Sequence, residues 1–239
     1  MIINSQPVTG FSEIIKEYNK DNLVVAEVGT YIGATTIETA KLVKHLKGNY
    51  IAIDWFQGSA DTFGAHNTNT IENRSIFDIF LENIKEAKVD DIIKIHKMTS
   101  LQAANHIPDN SLDICFIDAD HKYESVKADI KAFLPKIKLG GILCGHDFEP
   151  PAISFLDTLT EYELNQDFIP RLIQTQNSIH QFYNNKVINA EIIRTSPELY
   201  YFHPGVVKAV SELFNKEDIK FYSDNVWAVK ITENNFIKK

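Results

Sequence analysis

The chain has 239 residues, 44% of them hydrophobic, and a formal net charge of −8 at pH 7. These values exclude a disordered chain and suffice for one large α/β domain or two small ones. The acidic balance argues against nucleic acid as the main partner, because phosphate binding needs a basic surface. With no apolar run of the roughly 20 residues that a membrane span needs, and no signal-peptide pattern, we expect a cytoplasmic protein without a membrane partner.

The predicted elements alternate between helices and buried strands as far as residue 147. Continuous apolar runs are typical of buried parallel strands, and segments with helical spacing separate them. The predicted strands are 23–29, 49–54, 91–97, 111–120 and 141–147. The predicted helices are 11–20, 33–46, 75–87, 100–107 and 123–138, the last ended by Gly140 and Gly141. This order predicts an α/β fold with a Rossmann-like, doubly wound, mostly parallel sheet.

Two segments interrupt this order. Residues 55–72 form a long polar segment, and residues 150–203 mix aromatic side chains with Asn, Gln and His. Because that composition suits a polar ring such as a sugar, we expect both to close over an acceptor; a homo-oligomer contact is the alternative for 150–203. A helix at 204–214 and an antiparallel hairpin at 219–231 complete a single domain, 1–239, whose first 22 residues hold the N-terminal helix.

The two cysteines, Cys115 and Cys144, each lie within an apolar run that predicts a buried strand. We therefore expect two reduced thiols in the core and no disulfide.

The turn after the first strand contains Glu27, Gly29 and Gly33. A dinucleotide site would carry a third glycine where Tyr31 stands, so that a pyrophosphate can lie on the helix N-terminus. The carboxylate of Glu27 would repel a pyrophosphate but suits a ligand with an ammonium and a sulfonium group. The alternative is an ordinary strand-to-helix turn.

Asp54 ends the second strand and is followed by Trp55. An acidic side chain at this point can accept hydrogen bonds from both ribose hydroxyls, which favours a nucleoside ligand without separating NAD from S-adenosylmethionine. The alternative is a residue that caps a turn or helix.

Further polar groups follow the fourth and fifth strands: Asp118, Asp120 and His121 after one, and His146 and Asp147 after the other. His121 can act as a general base near neutral pH. Two carboxylates on neighbouring strand ends suit a hard cation such as Mg²⁺. The alternative is a cluster that caps the next helix, above all for Asp120.

In chain order, the segments EVGTYIGATT, YIAIDWF, MTSLQAA, FIDADHKYESVKADIKAFLPKIKLGGILCGHDF, HPGVVKAV and VWAVK resemble those of a class I S-adenosylmethionine-dependent methyltransferase. The chain is most similar to methyltransferase family 24, a branch related to the catechol and macrolide-sugar O-methyltransferases. The resemblance covers about 23–149 and 203–231, and the block from IDADHKYESV to GGILCGHDF is its most specific part.

The resemblance implies a role in cofactor binding for six residues, of which Asp54 would bind the ribose. Glu27 and Gly29 would lie near the methionine part of S-adenosylmethionine, with Tyr31 and Thr35 close to its carboxylate. Ser100, after the third strand, would lie beside the adenine.

The same resemblance implies a metal site. Asp118, which would also touch the cofactor and take part in catalysis, and Asp147 would hold a divalent cation, with His146 at the position of a further ligand. His121 matches the position of the catalytic base in the macrolide-sugar enzymes. Those relatives carry an acidic residue where His146 stands.

The predicted reaction is methylation of an acceptor hydroxyl, in which the chain orients both reactants and removes the hydroxyl proton. We expect the acceptor to be a small molecule or a carbohydrate. The alternatives are a nicotinamide-dependent oxidoreductase, which would need the missing glycine, and a non-catalytic nucleoside-binding protein of the same fold.

Overall fold

Seven strands form the main sheet of the computed structural model, which describes residues 6–58, 70–167, 169–172 and 199–233. The strands are β1 (Val24–Val28), β2 (Asn49–Asp54), β3 (Thr70–Ile71), β4 (Arg74–Ser75), β5 (Ile93–Lys97), β6 (Leu112–Ile117), β7 (Ile137–Gly145), β8 (Ile169–Leu172), β9 (Leu199–Phe202), β10 (Ile219–Tyr222) and β11 (Val226–Lys230). The helices are α1 (Thr9–Tyr18), α2 (Ala34–His45), α3 (Ile76–Glu86), α4 (Ser100–Ala104), α5 (Tyr123–Phe133), α6 (Glu161–Leu164) and α7 (Pro204–Leu213).

The order of the main sheet is β10-β11-β7-β6-β1-β2-β5. Strands β7, β6, β1, β2 and β5 are parallel to one another, whereas β11 is antiparallel to both β7 and β10. The predicted Rossmann-like fold with a C-terminal antiparallel hairpin is therefore confirmed. The C-terminal ends of the five parallel strands meet at one edge, where ligands bind in sheets of this kind.

The sheet separates two hydrophobic cores, because alternate residues of each strand point to opposite faces. On β1, Val25 packs with α1, α2 and α3, whereas Ala26 packs with α4, α5 and α7. On the first face the rings of Phe11 and Phe116 stack at 4.2 Å between centroids. Cys115 and Cys144 are buried free thiols, as predicted.

Gly140 and Gly141 do not end the fifth predicted helix, and here the prediction was wrong. Helix α5 ends at Phe133, and Pro135 lies in a short 3₁₀ turn that follows, because proline cannot continue an α-helix. Strand β7 then begins at Ile137 and contains both glycines. A β-carbon on Gly141 would lie 2.7 Å from the Asp113 carbonyl oxygen, so the pairing of β6 and β7 needs a glycine there.

The segments 55–72 and 150–203 lie partly outside the described residues. In the second, the structure shows a 3₁₀ segment at Pro150–Thr158, the short helix α6 and the antiparallel pair β8 and β9. Within the described ranges, no helix combines the length and apolarity required to cross a membrane.

Candidate active site

A cavity of about 790 Å³ opens at the C-terminal edge of the parallel strands. This volume lies within the range of small-molecule binding sites. Every residue that the sequence singled out for cofactor, metal or catalysis lines it, with the exception of Gly33. The lining residues from that set are Glu27, Gly29, Tyr31, Thr35, Asp54, Trp55, Ser100, Asp118, His121, His146 and Asp147.

A glycine is required at position 29 because the chain after β1 passes very close to the chain after β6. Its φ is +90°, and a β-carbon there would lie 1.9 Å from the Asp118 carbonyl oxygen. Gly33 also has a φ of +90° and precedes α2, but an added β-carbon would meet the ring of Phe80 at 3.0 Å. Gly33 thus faces the core below the turn, and its part in cofactor binding stays a prediction.

Glu27 is a fully buried carboxyl at the floor of the cavity. Its Oε2 accepts hydrogen bonds from the Thr36 hydroxyl at 2.6 Å and the Tyr50 hydroxyl at 2.7 Å. Burial raises the pKa of Glu27 to about 8, against the lowering effect of those two hydroxyls. The protonated acid is therefore favoured at neutral pH until a cationic group arrives beside it.

Asp54 holds the glycine turn in place. Its Oδ2 accepts the backbone N–H groups of Thr30 and Tyr31, both at 2.9 Å, and its Oδ1 accepts that of Phe56 at 2.7 Å. Because a carboxylate oxygen can accept more than one hydrogen bond, Oδ1 retains capacity for a ligand hydroxyl. Trp55 is 48% exposed at the rim of the cavity.

Two further predicted residues are tied to neighbours within the lining. The Thr35 hydroxyl accepts the backbone N–H of Val8 at 3.1 Å, which brings the segment before α1 to the cavity. The Ser100 hydroxyl donates to Asp129 Oδ1 at 2.5 Å. Burial raises the pKa of Asp129 to about 6. Asp129 was not singled out from the sequence, although an acidic residue on the apolar face of α5 is a visible signal.

The opposite side of the cavity carries the histidine cluster, by which we mean Asp118, His121, His146 and Asp147, which line the cavity, and His203, which contacts Asp147. Asp147 lies at its centre. Oδ2 of Asp147 is 3.0 Å from His121 Nε2, and Oδ1 is 3.2 Å from His146 Nδ1 and 3.6 Å from His203 Nδ1. Asp118 Oδ1 is 3.5 Å from His146 Nδ1. The predicted adjacency of Asp118 and Asp147 follows from the parallel pairing of β6 with β7.

Carboxylates outside the cluster hold two of its rings. Asp167 Oδ1 is 2.6 Å from His121 Nδ1, and Glu149 Oε1 is 2.9 Å from His203 Nδ1. Asp167, His203 and Glu149 were not singled out from the sequence, because they lie in or beside the segment that breaks the βα order. Asp120 instead accepts hydrogen bonds at the start of α5, from Lys122 N and the Ser125 hydroxyl, as the capping alternative predicts.

The charge on the histidines is set by these carboxylates. For His121, burial acts against the imidazolium, but its contacts with Asp147 and Asp167 outweigh it and raise the pKa well above the usual value. For His146, burial is likewise outweighed by Asp118 and Asp147, and the pKa rises to about 11. Without a cation, these contacts favour the imidazolium form of both rings.

The arrangement provides two groups of side chains that could hold a cation. One comprises Asp118, His146 and Asp147, the predicted set, and the other comprises His121, Asp147 and His203. The separations of 3.0 Å from Asp147 to His121 Nε2 and 3.2 Å to His146 Nδ1 match the roughly 3.0 to 3.4 Å expected between two ligands that share an ion at about 2.0 to 2.1 Å. His121 Nε2 is buried and makes no hydrogen bond of good geometry, as expected of a ligand atom.

The mostly parallel sheet, with its antiparallel C-terminal strands and a cavity at the ends of the parallel strands, is the Rossmann-like methyltransferase fold. The chain matches the model of methyltransferase family 24, described as a methyltransferase domain, over residues 26–148, and it belongs to this family. It is an S-adenosylmethionine-dependent methyltransferase, as predicted, and the nicotinamide and non-catalytic alternatives are set aside.

Two solved structures share this fold at low identity. A Staphylococcus aureus protein assigned as a caffeoyl-CoA O-methyltransferase is 13% identical, with a TM-score of 0.52 over 97% of this chain and 85% of that one. A Klebsiella pneumoniae protein assigned as an O-methyltransferase is 13% identical, with a TM-score of 0.51 over 92% of this chain and 77% of that one. Comparison with curated protein sequences found no match.

Proposed function

We propose that the chain transfers the methyl group of S-adenosylmethionine to a hydroxyl of a small-molecule or carbohydrate acceptor, with a divalent cation at Asp118, His146 and Asp147. The observation that carries this proposal is that one cavity joins a nucleoside-type pocket to the histidine cluster. A hydroxyl must lose its proton to become a good nucleophile, so it depends on such a cluster more than an amine acceptor does.

The cofactor would lie along the turn after β1, which we call the cofactor half of the cavity: Glu27, Gly29, Tyr31, Thr35 and Asp54. Bound there, it supplies a methyl group that the sulfonium already activates. Asp54 Oδ1 would accept a ribose hydroxyl, and the carboxyl of Glu27 would ionise beside the ammonium. Trp55 and Ser100 would border the adenine, and Asp118 would border the methionine end.

The acceptor would enter beside the histidine cluster, where Asp167 brings the inserted segment 150–203 into contact with His121. A cation there would lower the pKa of the acceptor hydroxyl. His121 would receive the hydroxyl proton. Because its contacts with Asp147 and Asp167 favour the charged ring, it must first release a proton of its own. The two carboxylates would keep the ring oriented throughout.

The test is S-adenosylhomocysteine formation with a panel of hydroxyl acceptors, including catechols and sugars, and with matching amines. We expect methylated product from at least one hydroxyl compound, a loss of roughly 10² to 10⁴-fold in His121→Asn, and no change in His45→Asn on the exposed end of α2. Transfer to amines only, or full activity in His121→Asn, would contradict the proposal.

A further inference from the structure

The histidine cluster contains more nitrogen donors than a magnesium site uses. Mg²⁺ prefers carboxylate, carbonyl and water oxygens, whereas imidazole suits zinc, iron, nickel and copper. Three imidazole rings surround Asp147 here, through contacts of 3.0, 3.2 and 3.6 Å. His203 is not among the residues that the sequence pattern assigned to a metal.

His121 is oriented as metal-binding histidines usually are, and a carboxylate likewise contacts one ring nitrogen of His203. Such a ring donates one N–H to a carboxylate, which fixes its tautomer and presents the other nitrogen to the ion. Asp167 contacts Nδ1 of His121 at 2.6 Å, and Glu149 contacts Nδ1 of His203 at 2.9 Å. In His121 the other nitrogen, Nε2, is buried, lies 3.0 Å from Asp147 and lacks a hydrogen bond.

The fold brings the two rings together at a fixed distance. His203 immediately precedes α7, and a β-carbon on Gly205 would lie 2.3 Å from the His121 carbonyl oxygen. This close approach places the ring centroids of His121 and His203 4.7 Å apart. Glu149 also accepts the backbone N–H of His203 at 3.0 Å, so main chain and ring are held by one carboxylate.

The charges of the surroundings suit a dication. With neutral histidines, the cluster and its outer carboxylates place four negative side chains around the rings. They are Asp118, Asp147, Glu149 and Asp167. A dication bound between the rings would balance half of this negative charge.

We propose that His121, Asp147 and His203 form a nitrogen-rich cation site that takes a first-row transition ion of the zinc class in preference to Mg²⁺. The site adjoins the predicted set through Asp147. The inference rests on the proposed function only in that the same cluster would serve the acceptor, and its test needs no turnover. While an ion occupies Nε2 of His121, that ring would not take the acceptor proton, and the cation itself would lower the pKa of the acceptor hydroxyl.

The experiment titrates the metal-stripped full chain by calorimetry with Zn²⁺ and, separately, with Mg²⁺. Most nitrogen-containing sites bind zinc more tightly than magnesium, so the decisive comparison is between the variants and the wild type. We expect His203→Asn to weaken Zn²⁺ binding at least about 10-fold and to leave Mg²⁺ binding unchanged. Asp167→Asn, which keeps every ligand, should weaken Zn²⁺ binding by about 10 to 100-fold. His45→Asn, the matched control, should bind Zn²⁺ as the wild type does.

Two further readouts separate the possible failures. The d–d absorption of the Co²⁺-loaded protein should change in His203→Asn, since a nitrogen ligand is lost. Each variant is also titrated with S-adenosylhomocysteine, which reports an intact cofactor half. Wild-type Zn²⁺ affinity in His203→Asn, or no Zn²⁺ binding by a chain that binds S-adenosylhomocysteine, would overturn the inference alone. Failure of the wild-type chain to bind S-adenosylhomocysteine would instead overturn the proposed function.

Discussion

The two sides of the cavity are built in different ways. The cofactor half comes from β1, the turn after it and the end of β2, and its hydrogen bonds join residues 9 to 24 positions apart. The contacts that hold the histidine cluster join residues 46 and 54 positions apart, from β6, β7 and the segment that precedes α7. One side is a local property of a strand and its turn, whereas the other exists only in the folded domain.

The electrostatics of the two sides also differ. In the cofactor half a single buried carboxyl, Glu27, has its pKa raised to about 8 and is neutral at pH 7. In the histidine cluster, carboxylates and imidazolium rings compensate each other, and the pKa of Asp147 lies well below its usual value. Burial raises the pKa of both carboxyls, but only Asp147 has cationic partners that outweigh it. The carboxyl of the cofactor half would thus ionise when a cationic ligand binds, and the histidine cluster would release protons when a cation binds.

The largest expected effect is on the histidine cluster, in Asp147→Asn. Removing this carboxylate leaves three neighbouring imidazoles without their common partner, and breaking a buried ion pair in this way costs about 3 to 5 kcal/mol. Chemical denaturation of the metal-free protein measures the change in the free energy of unfolding. Asp157→Asn, an exposed site, should have almost no effect. A loss below about 1 kcal/mol in Asp147→Asn would show that the cluster is not charged as described.

The stability contributed by the cofactor half should depend on pH, through Glu27. Because its folded pKa is raised, the unfolded chain loses this proton first, so stability falls as pH rises from about 4.5 to about 8 and then levels off. Between about pH 6 and pH 8 this costs roughly 2 to 3 kcal/mol. Glu27→Gln removes that cost, so the free-energy difference between variant and wild type should change with pH over this range.

Exposed Glu38 provides the control for that experiment. Glu38→Gln should follow the wild type at every pH. If the difference between Glu27→Gln and the wild type stays constant from about pH 6 to about pH 9, then Glu27 is ionised throughout and the contrast between the two sides is lost.

A smaller effect is expected for Asp54→Ala on cofactor affinity. The loss of the proposed ribose contact and of the turn support should weaken S-adenosylhomocysteine binding by about 1 to 3 kcal/mol. Calorimetry measures it, with exposed Asp21→Ala as the control. Zn²⁺ binding, which belongs to the other side of the cavity, should stay as in the wild type. Equal weakening of both ligands would mean that the two sides are not independent.

The difference in construction explains what the sequence could predict. Strand β2 was predicted with its observed bounds, and the proximity of Asp118 to Asp147 followed from the parallel pairing of neighbouring strands. Contacts such as His121 with Asp167 could not be predicted, because no periodicity links a βα unit to a segment outside the repeating order. The position of Gly140 was missed because its irregular pairing depends on β6, not on local propensity.

The most direct test of the central claim, that the cavity binds S-adenosylmethionine beside a hydroxyl-activating cluster, is calorimetric titration of the wild-type chain with S-adenosylmethionine and with NAD. Since Tyr31 replaces the glycine that a pyrophosphate needs, we predict micromolar binding of S-adenosylmethionine and no measurable binding of NAD. Binding of NAD without binding of S-adenosylmethionine would contradict the account.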